Sequence, residues 1–218
     1  MKALVLFLAF SFGTQRSTLP VLPYKGRDAN KPLLLYISGD GGLHNYFSAT
    51  LLEQCNQQGY SIVGFNAKMY FRSKKNPEQT AADAGAVAAQ YLKAWNCNNL
   101  VLIGYSFGAD VVPFIQRRWP PQLSRQVRHI ILMSPSRSTD FQTHVLEWTG
   151  LVKTHGLSVP AEINKLTLPT TLIFGTDEKT FPLQSLTAKN LKVVKLPGGH
   201  HYRWDINAVV EQIKRSAQ

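Results

Sequence analysis

From about residue 31 the chain alternates short, mostly apolar runs with longer stretches in which apolar residues return every three or four positions. The short runs, 33–38, 61–65, 99–105, 127–134, 170–175 and 191–196, read as strands. The longer ones, 46–58, 76–95, 107–119 and 205–216, read as helices, with Pro113 interrupting the third and Pro120 stopping it. At the start of 76–95, Asn76 serves as cap, Pro77 fits the first turn and Gln79 stands where a capping box places it. Strands apolar on both faces must be covered on both, so the pattern predicts an α/β fold, a mostly parallel central sheet flanked by helices, in a single domain.

One interval breaks the rhythm. Between Ser136 and Leu168 no strand is evident, and the segment around Trp148 carries apolar residues. Ordered connections of that length are usually functional, so it reads as a small cap over the active site, following the strand that ends near Ser134.

The amino-terminal stretch stands apart. Lys2, an apolar run from Ala3 to Phe10 and small residues near Ser11 and Gly13 form a pattern too short to span a bilayer. It reads as a cleaved secretory signal over residues 1–20, leaving 21–218 as the folded domain and placing the protein outside the cytoplasm. The formal charge of +11 falls to about +9 without that segment. Such a surface favours an anionic partner, phospholipid headgroups or nucleic acid, without choosing between them; no zinc-ligand spacing and no basic run interleaved with aromatics is present, and the expected export argues against nucleic acid. Cys55 and Cys97 suit either one disulfide or two buried thiols.

Candidate chemistry begins at Gly104-Tyr105-Ser106-Phe107-Gly108, placed directly after a buried strand and opening a helix. Gly-x-Ser-x-Gly by itself is a weak motif, but this setting is that of a nucleophile elbow. The turn strains the serine backbone and leaves no room two residues to either side, which explains the paired glycines. It also aims the Phe107 amide, at the positive end of the new helix, toward developing negative charge.

A serine hydroxyl needs a base, and the base needs an orienting carboxylate. In hydrolases with this elbow the chain order is serine, acid, histidine. After 170–175 come Asp177 and Glu178. Spacing from the strand-ending glycine selects Glu178, whereas the commonness of aspartate in the role ranks Asp177 first. After 191–196 come His200 and His201. His200 directly follows Gly198-Gly199 and is the expected base, with His201 as its alternate. Neighbouring histidines seldom converge on one ion, so neither a metal nor a cofactor is expected. The loop Ser38-Gly39-Asp40-Gly41-Gly42 follows the first core strand, and the Asp40 backbone N–H is the expected second oxyanion donor beside that of Phe107.

With SGDGG, YFRSKKNPEQTAAD, GYSFGADVVP, FGTDEKT and PGGHHY in this order, the chain resembles the bacterial virulence protein VirJ family, which includes the AcvB proteins, over about residues 31–216. The resemblance implies an exported, periplasmic α/β-hydrolase that removes the aminoacyl group, lysyl or alanyl, from aminoacylated phosphatidylglycerol, with links to type IV secretion. By motif position it implies Ser106 as nucleophile, Asp177 or Glu178 as acid and His200 as base. The chain departs from the family pattern at Leu43 and Arg72, where aromatic residues often stand. Such a substrate carries an ammonium group, for which Asp110, one helical turn beyond Ser106, or Asp83 would be the counter-charge. Tyr105 and Trp148 are further substrate-contact candidates, the latter toward lipid.

Overall fold

A computed structural model describes residues 19–143 and 156–217 of the protein. Seven strands make one sheet in the order β1-β3-β2-β4-β5-β8-β9. They are β1 (Val21–Tyr24), β2 (Leu33–Ile37), β3 (Ile62–Phe65), β4 (Leu100–Tyr105), β5 (Val127–Met133), β8 (Thr170–Gly175) and β9 (Leu191–Leu196). All pairings are parallel except that of β1 with β3.

The unbroken apolar runs explain the layering. Along β2, Leu33, Leu35 and Ile37 face one core while Leu34 and Tyr36 face the other. Helices α3 (Pro77–Ala94), α4 (Phe107–Gln116), α5 (Pro121–Ser124) and α6 (Val159–Ile163) cover the first face. On the second lie α1 (Tyr46–Gln57) and α7 (Ile206–Ser216). Asn76 caps α3 as its sequence predicts, its side chain accepting from the Gln79 N–H at 2.7 Å. The order of strands reverses between β2 and β4, which opens a crevice at their carboxyl ends.

Several expectations change. Strand β1 falls outside the sequence-derived elements because Pro23 masks its pattern, and it is tolerated there because β1 is an edge strand. Pro113 does not interrupt α4, which runs through it to Gln116 and ends before residue 119. The backbone bond lost at the proline is offset by burial of Val111, Val112, Phe114 and Ile115 around it. A short helix α2 (Ala67–Tyr70) follows β3, capped by Asn66.

The interval 136–168 holds two-residue strands β6 (Ser138–Thr139) and β7 (Leu157–Ser158), paired antiparallel, and α6. Its described residues Phe141, Val159, Ile163 and Leu166 belong to the core around α4 rather than to a cap. Trp148 and the central part of the expected cap lie outside the described residues, as does nearly all of the expected leader. Cys55 and Cys97 are free thiols in the cores on opposite faces of the sheet, so the sheet itself rules out their pairing.

Candidate active site

Ser106 occupies the step from β4 into α4 with φ 52° and ψ −121°, a backbone region that costs a non-glycine residue about 1–3 kcal/mol. The surroundings hold it there. Its N–H donates to the Met133 carbonyl at 2.8 Å, and its carbonyl accepts from the Ala109 and Asp110 amides. The flanking glycines are obligatory for space: a Cβ on Gly104 would stand 2.5 Å from the Gly108 carbonyl oxygen, and one on Gly108 would stand 2.1 Å from that of Ile37. Gly108→Ala should therefore destabilise the fold by about 3 kcal/mol or more, since backbone and not a side chain must yield. A denaturant melt within 1 kcal/mol (about fivefold in the folding constant) of the wild type would refute this packing argument.

The residues after β8 and β9 converge on the serine. Gly175 has no side chain where the Gly198 and Gly199 carbonyls cross, at 2.3 Å from its would-be Cβ, so the loop after β9 lies directly over the end of β8. Gly198 turns with φ 96°. This places His200 with Nε2 2.9 Å from Ser106 Oγ and Nδ1 3.0 Å from Glu178 Oε1. A hydroxyl, an imidazole and a carboxylate thus stand in line, each within proton-transfer distance of the next.

Glu178, not Asp177, is the carboxylate in that line. The turn closes from the Glu178 N–H to the Gly175 carbonyl, and the longer side chain folds back over the strand end. Asp177 is tied by its own N–H to the Gly198 carbonyl, while its exposed carboxylate accepts, among the described residues, from Thr176 Oγ1 at 3.2 Å. The three-residue spacing from Gly175 was the better signal, and the general preference for aspartate the poorer one.

Glu178 Oε2 accepts from the Gly175 N–H at 2.6 Å and from Ser134 Oγ at 2.7 Å. Burial alone would raise its pKa, but these donors together with His200 outweigh that and hold the carboxyl below its ordinary value. Ser134, which sequence reasoning passed over, has φ 49° at the end of β5 and lies 2.6 Å from the Tyr202 hydroxyl. Its only sequence signal is a serine just past an apolar strand. Ser134→Ala should lower kcat about tenfold with KM held, because the carboxylate loses one of the donors that aim it. An unchanged kcat would show that the Gly175 amide alone suffices.

His201 points elsewhere. Its Nδ1 lies 2.5 Å from the Tyr105 hydroxyl and its ring stacks on Trp204 at 4.4 Å. Burial, then the neighbouring His200, lowers its pKa. Tyr105 also donates to the His200 carbonyl at 3.2 Å and is only 4% exposed, so it is a strut beneath the histidine loop and not a substrate contact. Both expected counter-charges are engaged as well. Asp110 is buried and accepts from the Ser136 N–H at 2.6 Å and Ser136 Oγ at 2.7 Å; Asp83 accepts from the Tyr70 hydroxyl at 2.5 Å.

The loop after β2 completes the site. Gly39 packs against Ser106, its would-be Cβ 3.2 Å from the serine Cβ, and buried Ser38 anchors the loop by accepting from the Ala67 N–H. Neither the Asp40 N–H nor the Phe107 N–H donates to a protein acceptor among the described residues. Leu43 is buried in the core beside Gly64, whereas Arg72 is exposed.

A doubly wound sheet with a strained serine at its switch point defines the α/β-hydrolase fold. Residues 31–218 match the family described as bacterial virulence protein (VirJ), and the chain belongs to that family. Solved structures agree on the fold. Est1E from Butyrivibrio proteoclasticus superimposes with a TM-score of 0.62 at 16% identity, over 90% of this chain and 92% of that one. MenH from S. aureus gives 0.67 at 12% identity over 91% and 97%. The Pyrococcus furiosus esterase Pf2001 gives 0.61 at 14% over 91% and 88%. No curated protein matches the sequence.

Proposed function

We propose that this protein is an exported serine hydrolase that cleaves the aminoacyl ester of aminoacylated phosphatidylglycerol. The observation that carries the hydrolase reading is the line from Ser106 Oγ through His200 to Glu178. In this mechanism His200 Nε2 takes the Ser106 proton as Oγ attacks the ester carbonyl, and Glu178 stabilises the resulting imidazolium. The Phe107 and Asp40 amides receive the oxyanion. Collapse expels the glycerol alkoxide, which takes the proton from His200 and leaves the aminoacyl group on Ser106. Water, deprotonated by His200, then releases the amino acid and restores the serine.

The choice of acyl group rests on membership in the VirJ family and on a basic surface suited to an anionic lipid. With Asp110 and Asp83 occupied, the half-buried Asp40 on the loop that packs against Ser106 is the counter-charge for the substrate ammonium. The same reading places the protein in the periplasm, with type IV secretion components as partners.

The test is amino acid release, followed by mass spectrometry, from lysyl- and alanyl-phosphatidylglycerol in mixed micelles. Release by the wild type that disappears in Ser106→Ala is the expected result and ranks the two headgroups. Hydrolysis of simple acyl esters or thioesters without release from either lipid would make the protein a general esterase or thioesterase. No hydrolysis of any ester would leave a hydrolase scaffold that serves in binding or assembly.

A further inference from the structure

The three most exposed large apolar side chains among the described residues are Tyr46 at 64%, Met69 at 57% and Trp204 at 50%. They lie far apart in sequence but follow the carboxyl ends of the parallel strands β2, β3 and β9, the same sheet edge from which Ser106 emerges after β4. Tyr46 and Trp204 meet edge to face at 5.8 Å, and Trp204 stacks on His201 beside the catalytic line. Residues Tyr202, Arg203 and Trp204 all have positive φ, between 52° and 61°, a costly backbone for non-glycine residues. This turn buries Tyr202 and holds Trp204 outward.

Cations stand among these groups. Lys68 packs against Gly42 in the loop that contains Asp40, Arg203 sits within the left-handed turn, and Arg72 follows Phe71, whose ring meets that of Phe107 at 4.9 Å. All three are exposed, and none forms an ion pair among the described residues.

We infer that the rim formed by Tyr46, Met69 and Trp204 with Lys68, Arg72 and Arg203 is a docking surface that seats the mouth of the site on an anionic lipid bilayer. Aromatic rings with a polar edge favour the boundary between water and hydrocarbon, and unpaired cations beside them favour anionic headgroups. A purely ionic partner would leave Met69 without apolar contact, and a neutral bilayer would leave the cations unused. The inference rests on the reading of the site as one that acts on a lipid ester, and it assigns the lipid contact to a part of the chain other than the segment around Trp148.

The experiment sediments the full chain with vesicles of phosphatidylcholine alone and of phosphatidylcholine with phosphatidylglycerol. Binding to the anionic vesicles should exceed binding to the neutral ones at least about tenfold, from roughly fivefold per engaged cation. Tyr46→Ser with Met69→Ser, and separately Lys68→Glu with Arg203→Glu, should each reduce that binding about tenfold or more, while hydrolysis of soluble p-nitrophenyl butyrate stays at the wild-type rate and shows the variants folded. Rim variants that bind like the wild type, or a wild type indifferent to phosphatidylglycerol, would overturn the proposal. Tighter rim-dependent binding to a single-stranded oligonucleotide or an acidic polypeptide would overturn the choice of a bilayer. Vesicle binding that persists without hydrolysis of any ester would sink the catalytic reading and leave the docking surface standing.

Discussion

Ser106→Ala is expected to reduce kcat on a soluble ester by a factor of about 10^6, the size of loss found when a triad nucleophile is removed from an intact site. The geometry makes the loss that large. His200 is already 2.9 Å from Ser106 Oγ and oriented from behind by Glu178, so deleting one oxygen removes the attacking atom and strands the base. Steady-state rates with p-nitrophenyl butyrate, read beside the thermal midpoint, measure it. Alanine relieves no backbone strain, because φ 52° stays as unfavourable for alanine as for serine, so stability should change little. A folded variant that keeps a tenth of the wild-type rate would mean that the ester is attacked by something other than this hydroxyl.

The second large effect separates two adjacent acids. Glu178→Gln should lower kcat about 10^4-fold, because an amide opposite His200 Nδ1 no longer stabilises an imidazolium and favours the wrong tautomer. Asp177→Asn should stay within about threefold of the wild type, since its contribution to the loop is its backbone N–H, which the substitution keeps. The pair is informative because both substitutions remove one negative charge at nearly the same place. A general electrostatic effect would lower both rates alike, whereas a positioned carboxylate lowers one. Equal losses would return the assignment to the ambiguity that the sequence leaves.

That ambiguity shows where legibility ended. Strands β2, β3, β4 and β8 were readable because burial on both faces forces uninterrupted apolar runs, a property of each segment alone, while β5 and the edge strand β9, which exposes Lys192, Val193 and Lys195, kept enough apolar positions to be read. The elbow was readable because two glycines around a serine mark a steric demand within one short segment: Gly104 meets Gly108 inside the turn, and Gly108 meets the Ile37 carbonyl of the neighbouring strand. Strand β1 was not, because Pro23 masks it, and the short elements α2, β6 and β7 are too brief for a periodicity to show. Tyr105 looked like a substrate contact because it adjoins Ser106 in sequence, yet adjacent strand residues point to opposite faces, and its ring belongs to the core with α1 and α7.

By itself, then, the sequence determined the α/β layering, the serine at a strand-to-helix step, and a short set of acids and histidines in hydrolase order. Only the tertiary structure chose Glu178 over Asp177 and His200 over His201, committed Asp110 and Asp83 to other partners, and placed the two cysteines on opposite faces of the sheet. The reason is one of range. Layering and elbow leave their mark on residue types within one short segment, whereas His200 and Ser106 are 94 positions apart and meet because β4, β5, β8 and β9 lie in that order and the Gly198 turn crosses Gly175.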